Sequence, residues 1–582
     1  MCGIVAQVNS RNEFPRHLLT HRGPDQEFLF KINNFSLEYF RLSVTGGDEG
    51  KAPVYSENLR WVVFLNGEIY NYKSLISSHR LPFTHSDTQV IANGLSLHGI
   101  KFLKSLRGMF AGIAINLDSN MLYVFRDALG EKPLFYSLED GMLSMASEFK
   151  SLLKLLGRPI DLNYEAVESY FRFSYNEEPT TFDKRIKPFP KGSVIQFELD
   201  SLRQERLFDL IGFDENEISS PLEDLLESIL DEQLDVEVPA GLALSGGVDS
   251  NALLVASHKR SRHKLVPIVV DLPSHKHLSE AVTAISSCKN LGLNPTVLNL
   301  NFDDLELKLL DLVRINDQPH ADPTSLAYAQ IFKYAHEIGL KVVFLGHGPD
   351  EFFWGYPWLN SQLIKGISRE KSIAGVFRKV TPRPFWDTPA KNSRFMRGAR
   401  FGDSANLQFG SADFYLNSED LWERTRAYVT HSYLVDNGLR QSDRLSMAYS
   451  IESRTPFADV RLYGWSQKNS RKLSAESFDK KEFRKVVDLG TNDLIRNKSK
   501  QGFSSPYGNW FEQKNVKDLL VLAQKEVEGS GFPGLNRINI RFLNVQEKYR
   551  IFHPEITIQQ SQQIPLTSVF HIDLIFYFFQ IL

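Results

Sequence analysis

The chain has 582 residues, which exceeds the size of a single hydrophobic core and predicts more than one domain. Hydrophobic residues make up 42% of the sequence and charged residues 24%, an ordinary composition for a globular protein. The formal net charge of −3 argues against a basic surface for nucleic acid. The two cysteines exclude a disulfide framework and a structural zinc site, and their scarcity predicts a cytoplasmic protein.

No secretory signal pattern is visible at the start of the chain, and we expect no membrane span. The apolar stretch over residues 568–582 is too short to cross a bilayer and contains Asp573. We interpret it as a final core element.

The first 200 residues contain short runs of β-branched and aromatic residues broken by turn signals, which predict strands. The clearest runs are WVVFLNGEIYN, MFAGIAINL and MLYVFRDALG, and a last strand pattern ends near PKGSVIQFELD. The acidic stretch from Asp214 to Leu230 then predicts a linker that leads into a helix. We therefore expect two domains, over residues 1–200 and 201–582.

From about residue 235 the pattern changes to apolar strands that alternate with helices. GLALSGGVDSNALLVASH predicts a strand, a glycine-rich turn and a helix, and HKLVPIVVDL, SEAVTAISSCKNLGL and GLKVVFLGHG continue the alternation. This order predicts a doubly wound parallel sheet. Beyond about residue 360 the pattern becomes mostly helical.

The turn LALSGGVDS (Leu242–Ser250) has features that suit a phosphate. Small residues let backbone N–H groups approach an anion, and the N-terminus of the following helix favours negative charge. The hydroxyls of Ser245 and Ser250 add donors, and the Asp249 carboxylate can hold Mg²⁺ on a pyrophosphate. The turn lacks the lysine of a Walker A loop. A generic strand-to-helix turn is the plainer interpretation, but the string resembles the pyrophosphate loop of enzymes that split ATP to AMP and pyrophosphate.

A second strand end, VVFLGHGPDEFFWGY (Val342–Tyr356), also carries glycines and the two acids Asp350 and Glu351. Ligands bind at the carboxyl ends of strands in this kind of sheet. The two strand ends together predict a crevice for ATP and Mg²⁺. The acids also suit the cap and first turn of a helix, and the two interpretations are compatible.

The chain opens MCGIVAQV, which places a cysteine directly after the initiator methionine. Once that methionine is removed, the α-amine of Cys2, with an unperturbed pKa of ~7.7–8.0, can act as base for its own thiol. The thiolate would attack an amide and release ammonia. This reaction requires an oxyanion hole and residues that bind the substrate. Asn66 and Gly67 offer N–H donors, Arg41 suits a carboxylate and Asp87 suits an ammonium. Singly, each of these is explained as well by a turn, an ion pair or a helix cap.

Together, motifs in a fixed order resemble a known family. The first half carries CGI at residues 2–4, HRGPD, RLS, NGEIYN, SD at residues 86–87, RGMFA and RDALGEKPLFY. These are similar to the glutaminase domain of class II glutamine amidotransferases, which are N-terminal nucleophile hydrolases. The second half carries SGGVDS, SDRLSMAYSIESRTPFAD, KKEFR and RNKSKQGFSSP, and it resembles asparagine synthetase.

The resemblance implies a four-layer αββα domain followed by a doubly wound α/β domain of the ATP-pyrophosphatase type. It implies that Cys2 hydrolyses glutamine and that Asn66 and Gly67 form the oxyanion hole. The residues implied in binding glutamine are Arg41, Asn66, Glu68 and Asp87. The released ammonia would pass internally to the second domain.

In the second domain the resemblance implies an acceptor carboxylate that attacks the α-phosphate of ATP, followed by displacement of AMP by ammonia. Asp249 and Asp350 would hold Mg²⁺, and Lys480 would stabilise charge on the phosphates, although its neighbour Lys481 leaves a slip of one residue open. Val270 and Gly346 match positions that contact the adenosine. The full set implied in binding ATP is Leu244, Ser245, Gly246, Gly247, Asp249, Ser250, Val270 and Gly346.

Two departures from the family pattern bear on the acceptor. His347 stands where asparagine synthetases usually carry a glutamate near the reacting acyl group, and a histidine can serve there as a base or donor. The long segment between Tyr356 and Asp443 is rich in basic and aromatic residues, which suit a larger anionic acceptor such as a nucleotide-linked sugar acid. A surface elaboration or the contact of a homodimer explains this segment equally well.

The leading hypothesis is amidation of aspartate to asparagine, and the close alternative amidates a nucleotide-linked uronic acid. β-Lactam synthetases share the architecture but usually lack a working glutaminase. A non-catalytic relative would have lost Cys2, Asn66 or Asp249, all of which are present. A stand-alone glutaminase would consume no ATP.

Overall fold

A computed structural model describes residues 1–10, 14–260, 265–273, 279–301, 305–322, 324–357, 359–360, 421–469, 478–490 and 495. Most of the long segment after Tyr356, in which we expect an acceptor or dimer contact, lies outside the described residues. The RNKSKQGFSSP motif and the apolar stretch over residues 568–582 lie outside them as well.

The first half of the chain forms strands that are joined by short turns. These strands are β1 (Cys2–Val8), β2 (Gln26–Ile32), β3 (Phe35–Arg41), β4 (Val54–Tyr55), β5 (Trp61–Ile69), β6 (Gly108–Asn116), β7 (Met121–Arg126), β8 (Phe135–Glu139), β9 (Met142–Ala146), β10 (Lys187–Pro188), β11 (Ser193–Glu198) and β12 (Gln204–Asp209). They form two six-stranded antiparallel sheets, in the orders β10-β8-β9-β1-β3-β2 and β12-β11-β7-β6-β5-β4. The predicted strand runs near residues 61, 109, 121 and 193 are confirmed.

Helices cover the outer faces of these two sheets. They are α1 (Tyr72–Ser78), α2 (Asp87–His98), a 3₁₀ turn (Ile100–Ser105), α3 (Phe149–Leu156) and α4 (Tyr164–Phe173). Side chains of the two inner faces, such as Ile4, Phe64 and Ile113, pack together between the sheets. The helices α1 and α2 pack on the second sheet, and α3 and α4 pack on the first. The four-layer αββα fold is therefore confirmed.

The strand β12 follows the boundary predicted at residue 200 and pairs with β11 as the edge strand of the second sheet. A 3₁₀ turn (Glu217–Ser219) follows, and then α5 (Leu222–Gln233), which is the helix predicted in the acidic stretch.

The second half contains a parallel sheet of strands β13 (Ala240–Ala243), β14 (Val266–Asp271), β15 (Thr296–Asn299), β16 (Val342–Phe344) and β17 (Glu452–Arg454). The strand order is β15-β14-β13-β16-β17, and all pairs are parallel. This is the order of a doubly wound sheet, in which the order of successive strands reverses between β13 and β16 while all strands stay parallel. The predicted fold class is confirmed, and the ligand crevice is expected at this reversal.

Helices connect and flank the parallel strands. They are α6 (Val248–Arg260), α7 (Ala281–Asn290), α8 (Leu305–Ile315), α9 (Ser325–Glu337), α10 (Pro349–Phe352), α11 (Leu421–Tyr428), a π-helix (Val429–Leu439), α12 (Arg440–Met447), a 3₁₀ turn (Pro456–Ala458), α13 (Val460–Lys468) and α14 (Lys481–Val486). Within the described ranges, none of the helices has the length and apolarity that crossing a membrane requires.

One apolar cluster continues from the first half into the second. From the first half it includes Met1, Leu42, Val44, Met109 and Leu129, all buried. From the parallel sheet it includes Leu242, Leu244, Val342 and Phe344. The two halves therefore share a core, and the shared core lies between the start of β1 and the strands β13 and β16.

Candidate active sites

Cys2 is the first residue of β1 and pairs with Arg41 at the end of β3. The side chain is buried, and its Sγ lies 2.9 Å from the hydroxyl oxygen of Tyr39. The same hydroxyl lies 2.7 Å from the carbonyl oxygen of Leu65, so its single proton is donated to one of these two acceptors at a time. Burial, reinforced by the charge of a Cys2 thiolate, raises the pKa of Tyr39 well above its usual value. Tyr39 therefore remains a donor to a thiolate at physiological pH.

Asn66 and Gly67 are brought next to Cys2 near the end of β5. The backbone N–H of Cys2 donates to Asn66 Oδ1 at 3.1 Å. That bond orients the amide, and Asn66 Nδ2 is left buried without a hydrogen-bond partner among the described residues. Gly67 has φ +142°, and a Cβ there would lie 2.0 Å from the Met109 carbonyl oxygen. A preorganised donor beside a nucleophile is what an oxyanion hole requires.

The residues predicted to grip glutamine are also assembled here. Arg41 donates from Nη2 to the carbonyl oxygens of Thr45 and Gly47, at 3.2 and 2.7 Å, which fixes its guanidinium. Thr45 Oγ1 donates to Glu68 Oε1 at 2.7 Å. Asp87 begins α2 and accepts from the backbone N–H of Ile69 at 3.0 Å.

Both carboxylates are buried, and burial dominates their titration. It raises the pKa of Glu68 to about 8, and the nearby charge of Asp87 adds to the rise. Burial likewise raises the pKa of Asp87 above its usual value. An ammonium group bound between them would offset this cost, because a buried carboxylate is stabilised by an opposite charge.

The second half of the chain contributes two charged residues to this site that we did not predict individually. Arg454 Nη2 lies 3.5 Å from Glu68 Oε1, and Arg454 Nε donates to Glu452 Oε1 at 2.6 Å. Glu452 Oε2 lies 3.2 Å from the amino group of Met1. Both residues belong to the SIESRTPF motif, and their place in this family motif was the sequence signal from which their role could have been predicted.

Arg22, from the HRGPD motif, contacts the backbone of the nucleophile Cys2 and is fully buried. Its Nε donates to the Cys2 carbonyl oxygen at 3.1 Å. Its two other nitrogens contact Glu148 at 3.2 Å and Asp443 at 2.9 Å. Because Asp443 belongs to the second half, the backbone of Cys2 is held by an ion pair that joins the two halves.

The second candidate site is a cavity of about 290 Å³ at the reversal between β13 and β16. Most of the residues predicted to bind ATP line it, namely Leu244, Ser245, Gly247, Asp249, Ser250, Val270 and Gly346. Gly246 instead lies against α7, where a Cβ would come within 2.7 Å of the Glu280 carbonyl oxygen. Ser250 Oγ lies 3.0 Å from Ser245 Oγ and 2.8 Å from the Ser245 carbonyl oxygen.

Lys480 connects the two carboxylates that we predict as metal ligands. Its Nζ lies 2.7 Å from Asp249 Oδ2 and 2.7 Å from Asp350 Oδ1, and all three side chains are buried. Lys481, the first residue of α14, is exposed. The geometry therefore brings Lys480, and not its neighbour, to the predicted position. Two buried carboxylates that face one cation are a donor set that also fits Mg²⁺.

His347 lines the same cavity and is half-buried. Its Nε2 lies 3.2 Å from Ser442 Oγ on α12 and 3.3 Å from the Tyr328 hydroxyl on α9. The imidazole is thus held by two hydroxyls and not only by apolar packing. Tyr328 and Ser442 were not predicted, because their helices meet β16 only in the folded chain.

Comparison with known proteins matches both halves. A family model described as a glutamine amidotransferase domain matches residues 1–208, and one described as asparagine synthase matches residues 221–532. The chain belongs to the asparagine synthase family. It is a glutamine-hydrolysing carbon–nitrogen ligase of the type that forms AMP and diphosphate.

Several relatives of this asparagine synthase-family chain are similar over most of its length. Asparagine synthetase [glutamine-hydrolyzing] 1 of Bacillus subtilis is 26% identical and covers 88% of each chain. Asparagine synthetase [glutamine-hydrolyzing] 2 of the same organism is 30% identical over 80% of this chain and 66% of its own length. Amidase chyE of Penicillium rubens is 25% identical over 92% of this chain and 94% of its own.

Among solved structures, a glutamine phosphoribosylpyrophosphate amidotransferase from B. subtilis covers 52% of this chain and 91% of its own. Its sequence identity is 12% and its TM-score 0.28.

Proposed function

We propose that this protein transfers the amide nitrogen of glutamine to the side-chain carboxylate of L-aspartate, with ATP cleaved to AMP and diphosphate. The observation that carries the proposal is the shared apolar cluster between two sites of different chemistry. Met1 and Leu42, the chain neighbours of Cys2 and of its strand partner Arg41, belong to this cluster, and so do residues of the strands that lead to the ATP cavity. We assign glutamine hydrolysis to the first predicted domain together with β12, and ATP-dependent amidation to the second.

In the first site, Cys2 is the proposed nucleophile. The α-amine that Cys2 gains on removal of Met1 is the base for its thiol, and Tyr39 donates to the thiolate. Asn66 Nδ2 and the Gly67 N–H stabilise the oxyanion as the thiolate adds to the amide. Arg41 binds the glutamine carboxylate, and Glu68 and Asp87 bind its ammonium group.

The ammonia released at Cys2 is small and uncharged when deprotonated, so an apolar route suits it. The side chains between the sites, including Met109, Leu129 and Leu244, offer no charge that would protonate or retain it. The charged groups beside this route, such as Arg22 and Asp443, are paired with one another.

In the second site, the Ser245–Ser250 turn and the N-terminus of α6 bind the phosphates of ATP. Asp249 and Asp350 would hold Mg²⁺, which supplies positive charge on the pyrophosphate that leaves. Lys480 stabilises the same leaving group from its place between the two carboxylates. The acceptor carboxylate attacks the α-phosphorus, and ammonia then displaces AMP from the acyl-adenylate.

His347 lines the ATP cavity, and we assign it a role at the acceptor. With Ser442 and Tyr328 at its Nε2, the imidazole can accept a proton from the attacking ammonia. A nucleotide-linked uronic acid is the second candidate acceptor, because His347 departs from the family's usual glutamate and a relative named an amidase is similar over 92% of this chain.

Acceptor-dependent release of diphosphate from ATP tests the choice between these acceptors. We expect diphosphate release with L-aspartate at a rate at least tenfold above the rate without acceptor. Release with a UDP-linked glucuronic acid and not with aspartate would replace aspartate by the second candidate. The absence of diphosphate with either acceptor would contradict the proposal.

A further inference from the structure

A second cavity lies where the two halves meet, on the side of the first sheet that α3 covers. Its volume is about 690 Å³, and it is lined by one side of α3 and the residues that follow this helix, by the end of α8, by α12 and by the segment that contains Leu18 and His21. Its lining residues do not overlap with those of the ATP cavity. It is therefore a separate site, to which the proposed reaction assigns no role.

Most of the charged side chains that line this cavity are cationic. Five cationic side chains line it, namely Lys150, Lys154, Arg158, Arg314 and Arg444. The acidic residue among the described lining residues is Glu148, which His21 and Arg22 already contact at 2.9 and 3.2 Å. Arg158 and Arg314 also contact exposed aspartates at the rim, and such surface pairs contribute little.

Arg444 is the feature that distinguishes this cavity from an ordinary basic surface. Its side chain is only 6% exposed, and its Nη2 is buried without a hydrogen-bond partner among the described residues. The nearby carboxylate of Asp317 accepts instead from the backbone N–H groups of Phe149 and Lys150. Burial lowers the pKa of Arg444 to about 10, and the nearby carboxylates of Asp317, Glu148 and Asp443 oppose this shift.

A buried guanidinium N–H group without an acceptor is costly, and an anion that accepts from it would offset that cost. Several convergent cations favour a ligand with more than one negative charge, and the planar fork of arginine matches phosphate oxygens. We propose that this cavity binds a phosphate group, with Arg444 as the buried donor and Lys150, Lys154 and Arg158 around it. The phosphate can belong to inorganic diphosphate, which the ligase reaction produces, or to a nucleotide.

Binding of radiolabelled inorganic diphosphate to the full-length protein, measured by equilibrium dialysis, tests this site. The background is Lys480→Ala in buffer without Mg²⁺, because without this lysine and the metal Asp249 and Asp350 repel an anion from the ATP cavity. We expect one bound diphosphate per chain in this background. We expect Arg444→Met to weaken binding at least tenfold, since a charge-assisted hydrogen bond contributes about that factor.

A surface variant keeps the test valid if Arg444→Met fails to fold. Lys154→Ala combined with Arg158→Ala removes two exposed cations from the rim, and we expect binding to weaken about tenfold. Lys187→Ala combined with Arg203→Ala removes the same charges from exposed positions elsewhere and should leave binding unchanged. Displacement by AMP would assign the phosphate of a nucleotide, and failure of AMP to displace would assign the inorganic anion.

Three results would overturn the proposal. The first is the absence of diphosphate binding in the Lys480→Ala background. The second is equal binding by the rim variant and its matched control. The third is displacement by citrate as effective as displacement by unlabelled diphosphate, which would make the cavity a general polyanion site.

Discussion

The Cys2 site and the ATP cavity are built in different ways. The Cys2 site lies at a strand edge in the first half, and residues from the second half complete it, since Arg454 contacts Glu68 and Asp443 contacts Arg22. The ATP cavity is formed wholly by the second half, from two strand ends and the helices packed over them. Glutamine hydrolysis should therefore respond to changes in the synthetase half more than ATP cleavage responds to changes in the glutaminase half.

The change that separates the two sites most completely is Cys2→Ala. Loss of a nucleophile lowers turnover by ~10⁴-fold or more, so we expect glutamine-dependent amidation to disappear. Amidation driven by added ammonium salt should remain within about twofold, because no residue of the ATP cavity changes. Ammonia release from glutamine and amide product are measured side by side. Glutaminase activity in the variant would show that another residue is the nucleophile.

The reciprocal change is Lys480→Ala, with its exposed neighbour Lys481→Ala as the matched control. Removing Lys480 takes away the cation between Asp249 and Asp350, and we expect AMP formation to fall about 10²–10³-fold. Ammonia release at Cys2 should persist. AMP formation is followed by chromatography of the nucleotides. An equal loss in both variants would reject the position assigned to Lys480.

A smaller effect is expected from Asn66→Ala. The substitution removes the buried Nδ2 donor beside Cys2, and loss of one oxyanion donor costs about 10²-fold in turnover. The KM for glutamine should change little, because this donor acts on the developing oxyanion. Steady-state kinetics of ammonia release give both constants. A rise in KM at unchanged kcat would indicate that Asn66 binds substrate and does not stabilise the oxyanion.

The smallest predicted effect is on the pH dependence of the KM for glutamine, and it tests the contact between Glu68 of the first half and Arg454 of the second. Burial raises the pKa of Glu68 to about 8, so in the free enzyme this carboxyl is mostly protonated below that pH and ionised above it. Because the ionised form binds the ammonium group of glutamine, KM should fall several-fold as the pH rises through about 8. Arg454→Met removes a nearby cation and should move this transition to higher pH.

Two variants check this assignment. Glu68→Gln should abolish the pH dependence of KM near the transition, and Arg203→Met, an exposed arginine of the first half, should leave it unchanged. The measurement is KM for glutamine in ammonia release between pH 6 and 9. A wild-type KM that is flat over this range would contradict the role given to Glu68.

The sequence carried enough local information to predict the elements on which both sites stand. The fold class follows from strand runs in the first half and strand–helix alternation in the second. The strand-end turns at Ser245 and Gly346 were predictable because a doubly wound sheet gathers its carboxyl ends at one edge. Four further site residues could not be predicted, because each reaches its site through contacts between segments distant in the chain: Glu452, Arg454, Tyr328 and Ser442. Arg454 and Glu68, for example, are in contact although 386 positions separate them in the sequence.

Transfer of nitrogen between the two sites is the central claim, and a labelled substrate tests it directly. Glutamine labelled with ¹⁵N in its amide is supplied with ATP, Mg²⁺ and L-aspartate, in the presence of excess unlabelled ammonium salt. We expect the asparagine formed to equal the AMP formed, and its labelled fraction to exceed the labelled fraction of the ammonia in solution. Equal labelled fractions would show that ammonia leaves the protein before it is used, and labelled ammonia without asparagine would show that aspartate is not the acceptor.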